Sequence, residues 1–115
     1  MMNWNKLESI SDLLNLINLS KTYPDKYYLI FKHSTRCPVS AMSLNRLEKN
    51  WLLINNQIQP YFLDLIQYRS VSNQIENLLG VRHESPQILL IKNGKCIYNE
   101  SHHLISVEEL AKHVN

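Results

Sequence analysis

Tyr27-Tyr28-Leu29-Ile30-Phe31-Lys32-His33-Ser34-Thr35-Arg36-Cys37-Pro38-Val39-Ser40 is the stretch from which the fold is read. Its first five residues are apolar and rich in aromatics, the pattern of a buried strand. From Pro38 a helical spacing runs through Met42, Leu44, Leu47 and Trp51 to about Ile54. Proline suits the first position inside a helix, where its missing N–H would be unpaired anyway. Cys37 therefore falls at or next to the helix N-cap, directly after a buried strand.

Working outward, Leu7, Ile10, Leu13, Leu14 and Ile17 share one face of an N-terminal helix, which Tyr23-Pro24-Asp25 breaks. Residues 59–66, with Pro60, Tyr61, Phe62, Leu63 and Leu65, read as a second strand. Residues 72–79 read as a short helix capped by Ser70 or Ser72 and stopped by Gly80. Residues 86–91 form a third strand, Asn93-Gly94 a two-residue hairpin turn, and residues 95–98 a fourth strand. Ser106 caps a last helix carrying Val107, Leu110, Ala111 and Val114, with Glu109 at the reciprocal capping-box position. The order α-βαβ-α-ββ-α predicts an α/β fold: a central four-stranded mixed sheet flanked by helices, with an extra helix at the N-terminus.

The 115 residues suit one domain spanning 1–115. Two glycines leave no room for a Gly-rich phosphate loop. The net charge of +2, with acids and bases interleaved, lacks the basic stripe of a nucleic-acid binder. The N-terminus runs into an amphipathic pattern instead of a secretory h-region, and no apolar run is long enough to span a bilayer. These features predict a cytoplasmic protein with neither nucleic-acid nor membrane partners. Thiols are kept reduced in that compartment, so the two cysteines read as reactive or buried thiols and not as a structural disulfide.

Cys37 carries the chemistry. Free backbone N–H groups and the positive end of a helix dipole favour a thiolate there, and Arg36 adds a cation. The thiolate is the reactive form of cysteine. The competing reading is a small buried hydrophobe. Ser40 stands where a second cysteine would complete C-x-x-C. A hydroxyl can hydrogen-bond a thiolate but cannot close a disulfide, so turnover through this site is monothiol; otherwise Ser40 is only a first-turn helix residue. Pro86 opens a strand, where its missing N–H is tolerable, and a cis Ser85–Pro86 bond suits a tight functional turn. His33, His83, His102 and His103 could be imagined with Cys37 around zinc, but no compact ligand spacing supports it, and no metal is expected.

Residues 31–40 together strongly resemble the active-site segment of the YtxJ-like monothiol bacilliredoxins. Leu63-Asp64-Leu65, Tyr68-Arg69, Val81-Arg82-His83-Glu84-Ser85-Pro86-Gln87 and Leu90-Ile91-Lys92-Asn93-Gly94-Lys95 match in the same order. The resemblance implies a thioredoxin-like fold, a bacterial source and a role in bacillithiol redox chemistry. It implies removal of bacillithiol from S-bacillithiolated client proteins, with Cys37 becoming bacillithiolated. No tightly bound cofactor is implied; bacillithiol enters as a low-molecular-weight thiol co-substrate. One departure is Ser101-His102-His103, where the family often has Ser-His-Trp.

In that fold the strand opened by Pro86 runs antiparallel to the strand ending near Cys37. Ser85 and Pro86 then lie at the Cys37 end, where the Ser85 backbone can pair with a bound partner. The expected site is Cys37, Ser40 and Arg36 for chemistry, with Thr35, Pro38, Ser85, Pro86 and His102 for substrate or partner. The competing reading of His102 and His103 is a pair of solvent-exposed loop histidines. Cys96 falls beyond the hairpin turn, roughly 17 Å of strand away at ~3.4 Å per residue. Disulfide formation needs Cα atoms within about 7 Å, so Cys96 is not a resolving thiol. Two other functions fit the fold: a non-catalytic protein-binding module, and an iron–sulfur carrier like the monothiol glutaredoxins, whose C-G-F-S differs at Pro38-Val39.

Overall fold

A computed structural model describes residues 2–54 and 56–114. The strands are β1 (Asn5–Lys6), β2 (Tyr27–His33), β3 (Ile58–Asp64), β4 (Gln87–Lys92) and β5 (Lys95–Ser101). The helices are α1 (Ile10–Thr22), α2 (Pro38–Asn50), α3 (Arg69–Leu79) and α4 (Val107–Ala111), with 3-10 turns at Trp51–Leu53 and His102–Leu104. The sheet order is β1-β3-β2-β4-β5. β3 pairs in parallel with both β1 and β2, while β4 is antiparallel to β2 and β5.

β2 is the central strand and is buried along its whole length. Its side chains alternate between two cores. Tyr27, Leu29 and Phe31 meet Leu47 and Trp51 from the α2 end and Val107 and Leu110 from α4. Tyr28 and Ile30 meet Leu13, Leu16 and Ile17 of α1 and Val71 and Ile75 of α3. Cover on both faces explains why this strand is almost uniformly apolar in sequence. The same alternation sends His33 toward α2 and Lys32 toward α3.

Among the described residues the sheet has five strands, not four. β1 is two exposed residues with no pattern to mark it, and it adds to the edge of β3. Leu7 follows it, donates its N–H to the Phe62 carbonyl at 3.0 Å and is fully buried. Leu7 therefore belongs to the strand approach and not to a helical face. α1 starts only at Ile10, because Ser9 Oγ accepts from the Asp12 N–H (3.0 Å) while Asp12 Oδ2 accepts from the Glu8 N–H (3.0 Å). The buried face of α1 uses Leu13, Leu16 and Ile17, and leaves Leu14 exposed.

Met42 also points outward, and α2 ends at Asn50 instead of near Ile54. α3 begins three residues earlier than predicted, with Tyr68 at its N-cap; neither Ser70 nor Ser72 caps it. Gly80 ends α3 in the left-handed region (φ 68°), as its sequence position suggested. Asn93 and Gly94 both take positive φ (50° and 77°), the backbone of a two-residue hairpin turn. A bulge in β5 near Ile97 reverses the alternation. Cys96 therefore packs toward the α1/α3 core and Tyr98 toward the α2/α4 core. Ser106 Oγ accepts from the Glu109 N–H (3.1 Å), but the Glu109 carboxylate binds Lys112 (2.9 Å) in place of closing the capping box.

Candidate active site

The register places both halves of the site at one end of the sheet. Lys32 in β2 stands opposite Gln87, the first residue of β4. Gln87 in turn stands opposite Ser101, the last residue of β5. The turn after β2, the Ser85–Pro86 segment before β4 and the His102 turn after β5 therefore leave the sheet together. The Ser85–Pro86 peptide bond is cis. Cys96 pairs with Ile91, which in turn faces Tyr28 at the start of β2, so the second cysteine lies at the opposite end.

Cys37 is the N-cap of α2, half-buried, with Pro38 next in the helix. Its N–H donates to the Ser34 carbonyl (3.2 Å), closing a turn with Thr35 and Arg36 exposed at its corner. Its carbonyl accepts the first intrahelical bond, from Ala41 (3.1 Å). The Cys37 side chain makes no capping hydrogen bond, and the first turn of α2 holds no acidic residue. The first turn of α2 therefore sets no carboxylate of its own against the positive end of the helix.

Ser40 stands in the first turn of α2, three residues after Cys37, as its spacing indicates. It is fully buried, its Oγ accepts from the Ser34 N–H at 3.0 Å and lies 2.6 Å from His33 Nδ1. Burial pushes the His33 imidazole below its ordinary range, opposed by the Asp64 carboxylate. A neutral ring with Nδ1 unprotonated accepts the Ser40 O–H, which satisfies the hydroxyl on both sides. The ring also packs against Phe31 and Phe62, at centroid distances of 5.7 and 5.3 Å. Ser40 thus ties the first turn of α2 to the end of β2, directly beneath the Cys37 turn. Replacing it with alanine strands the buried Ser34 N–H, and a loss of about 1–3 kcal/mol is expected. Urea unfolding followed by circular dichroism measures it.

On the other face, Lys32 is fully buried and its Nζ lies 2.7 Å from His83 Nδ1. Burial pushes this lysine down to about 8, with Arg69 adding to the effect and Glu76 and Glu84 opposing it. His83 is also lowered, first by burial and then by Lys32. Its N–H donates to Glu76 Oε1 at 2.7 Å. The sequence offered one signal for this cluster, a lysine inside an otherwise apolar strand.

Pro86 is buried, and its carbonyl accepts the His102 N–H at 3.0 Å. His102 has positive φ (58°) and an exposed ring whose Nε2 lies 3.7 Å from Glu84 Oε1. Its carbonyl accepts from Ser43 Oγ (3.3 Å), and Arg46 of α2 donates to the Ile105 carbonyl (3.1 Å). These bonds hold the His102 turn against α2. The Ser85 Oγ is buried with no hydrogen-bond partner among the described residues. Cys96 is half-buried; its Sγ donates to the Tyr98 carbonyl at 3.3 Å, and burial pushes its thiol up. Among the described residues no three His, Cys, Asp or Glu side chains gather as a metal site, and no helix is long and apolar enough to cross a membrane.

Solved structures share this fold. A protein of thioredoxin fold proposed to be an oxidoreductase is 33% identical, with a TM-score of 0.79 over 94% of this chain and 90% of its own. The thioredoxin of Fasciola hepatica superposes with a TM-score of 0.72 at 18% identity, over 94% of this chain and 93% of its own. Thioredoxin Mala s 13 of Malassezia sympodialis gives 0.71 at 18% identity, over 97% and 88%. The last two bear on the fold alone. With the 33%-identical structure and the family match that follows, the fold and the strand–cysteine–helix junction define a thioredoxin-fold protein of the thiol oxidoreductase kind. The family model described as monothiol bacilliredoxin BrxC matches residues 5–110, and the chain belongs to that family.

Proposed function

We propose that the chain is a monothiol thiol–disulfide oxidoreductase that takes bacillithiol from S-bacillithiolated proteins onto Cys37. The observation that carries this reading is the placement of the two cysteines. Cys37 sits half-exposed at the N-terminus of α2, at the same sheet end as Ser85–Pro86, while Cys96 is at the far end. One thiol at the site and none to resolve it fits a mixed disulfide with a small external thiol.

In the first step the Cys37 thiolate attacks the bacillithiol sulfur of the client mixed disulfide. That S–S bond breaks, the client leaves as a thiolate and takes a proton from water, and a Cys37–bacillithiol disulfide forms. In the second step a free bacillithiol thiolate attacks the bacillithiol sulfur of that disulfide. Cys37 leaves as a thiolate and bacillithiol disulfide is released. The client is reduced by two electrons, two bacillithiol units are joined, and the enzyme is unchanged.

The dipole of α2 and the Arg36 guanidinium stabilise the Cys37 thiolate as attacker and as leaving group. Ser40 acts on the site through the turn it holds rather than by contact with sulfur. The Ser85 backbone offers a pairing edge to the partner, with Thr35, Pro38, Pro86 and His102 around it. The test is incubation with a bacillithiolated single-cysteine protein plus bacillithiol. Release of the client thiol supports the reading; an unchanged client, with intact protein, contradicts it.

A further inference from the structure

Lys32 is an expensive residue to keep where it is. It lies in the central strand with no solvent exposure, on a face otherwise built from Tyr28, Ile30, Leu89 and Ile91. An apolar side chain of similar volume would fill the slot without desolvating an ammonium group. What the lysine does there is grip one segment. Lys32 and Gln87 are directly opposed on β2 and β4, so both side chains leave the same face of the sheet. Gln87 Nε2 donates to the Arg82 carbonyl at 3.0 Å, and Gln87 Oε1 accepts from the Glu84 N–H at 3.4 Å. Between those contacts, Lys32 Nζ donates to His83 Nδ1 at 2.7 Å, and Ser72 Oγ of α3 lies 3.4 Å from the same nitrogen. Glu76 of α3 holds the His83 N–H. Residues 82–84 are thus clamped from the strand pair and from α3, two residues before Pro86.

We propose that Lys32, through His83, is a positioning residue for protein partners: it fixes the 82–84 segment so that the Ser85 edge is presented at the Cys37 end of the sheet. This rests on the reading of Cys37 and Ser85 given above. The Lys32 side chain leaves the sheet on the α3 face, the face opposite α2 and its Cys37 cap. Its removal therefore weakens docking of a protein backbone and leaves the Cys37 thiol as reactive as before.

The test compares wild type with Lys32→Met, His83→Leu and His83→Asn on three probes. These are a bacillithiolated single-cysteine protein, 2-hydroxyethyl disulfide, which has no backbone to pair, and iodoacetamide, which reports Cys37 alone once Cys96 is replaced by alanine in every chain. Lys32→Met is expected to raise KM for the protein probe about tenfold with kcat nearly unchanged. Its rates with the two small probes stay within about twofold of wild type, and its melting temperature is no lower. His83→Asn, which keeps an acceptor near the Nδ1 position, recovers most of the protein-probe rate that His83→Leu loses. His83→Leu leaves a buried ammonium unpaired; should it fail to fold, Lys32→Met decides alone. Equal rates for Lys32→Met and wild type on the protein probe overturn the proposal, as does an equal loss on all three probes. A wild type that reacts with both small probes but not with the protein probe overturns the functional reading itself, and this proposal with it.

Discussion

Cys37→Ala is expected to reduce the release of bacillithiol from a client protein to the uncatalysed background, while Cys96→Ala stays within about twofold of wild type. No other thiol stands at the site, so the nucleophile has no substitute. Cys96 is removed from the chemistry on three counts. It lies across β4 from the start of β2, and its burial favours the neutral thiol. Its Sγ is also directed at the Tyr98 carbonyl within its own strand. Client reduction followed by non-reducing electrophoresis and intact mass separates the two variants. Substantial activity in Cys37→Ala would mean that the exchange runs through another group.

Wild-type stability is expected to rise relative to Lys32→Met as pH increases from about 8 toward 10.5. The sign follows from proton counting. Lys32 is pushed down to about 8 in the folded chain against an ordinary 10.5, chiefly by burial. Between those values the unfolded chain holds the proton and the folded chain has released it, so stability rises with pH. The full gap corresponds to something on the order of 3 kcal/mol. Near neutral pH the buried ammonium costs stability, and Lys32→Met is expected to be more stable by about 1–3 kcal/mol. Burial raises Tyr28 and Cys96, and their contributions fall as pH rises. Those groups are common to both proteins and cancel in the difference. Urea unfolding of the pair at pH 7, 8.5 and 9.5 measures it; a difference that stays flat across that range would contradict the assignment.

Much of this was legible because local chemistry and global fold agree. Pro38 at the first position of α2 fixed where the helix starts, and hence that Cys37 is its N-cap. Asn93-Gly94 marked the hairpin, and the hairpin placed Cys96 away from Cys37. The return of His102 to the site followed from the same antiparallel pairing. β1 was not legible, because two exposed residues carry no period and their pairing depends on an edge of β3 56 residues away. In sequence Leu7 reads as helical because an apolar residue three before Ile10 fits that face. The Ser9/Asp12 cap marks the true boundary.

The inner side of the site was the least legible part. Ser40 drew attention as the position of a missing cysteine, yet its hydroxyl is used by Ser34 and His33. Its partner His33 is seven residues earlier and comes from another element, so no spacing rule connects them. Lys32 and His83 are 51 residues apart and meet only because α3 and the 82–84 segment close over one face of the sheet. Sequence periodicity reports which face a residue takes. It does not report which polar groups meet once two elements are packed.

The most direct test of the central claim is peptide-resolved mass spectrometry of the reduced protein after exposure to bacillithiol disulfide. A single bacillithiol adduct on Cys37, with Cys96 still a free thiol, is the predicted result. An adduct on Cys96 with Cys37 untouched, or a disulfide joining the two cysteines within one chain, would contradict it.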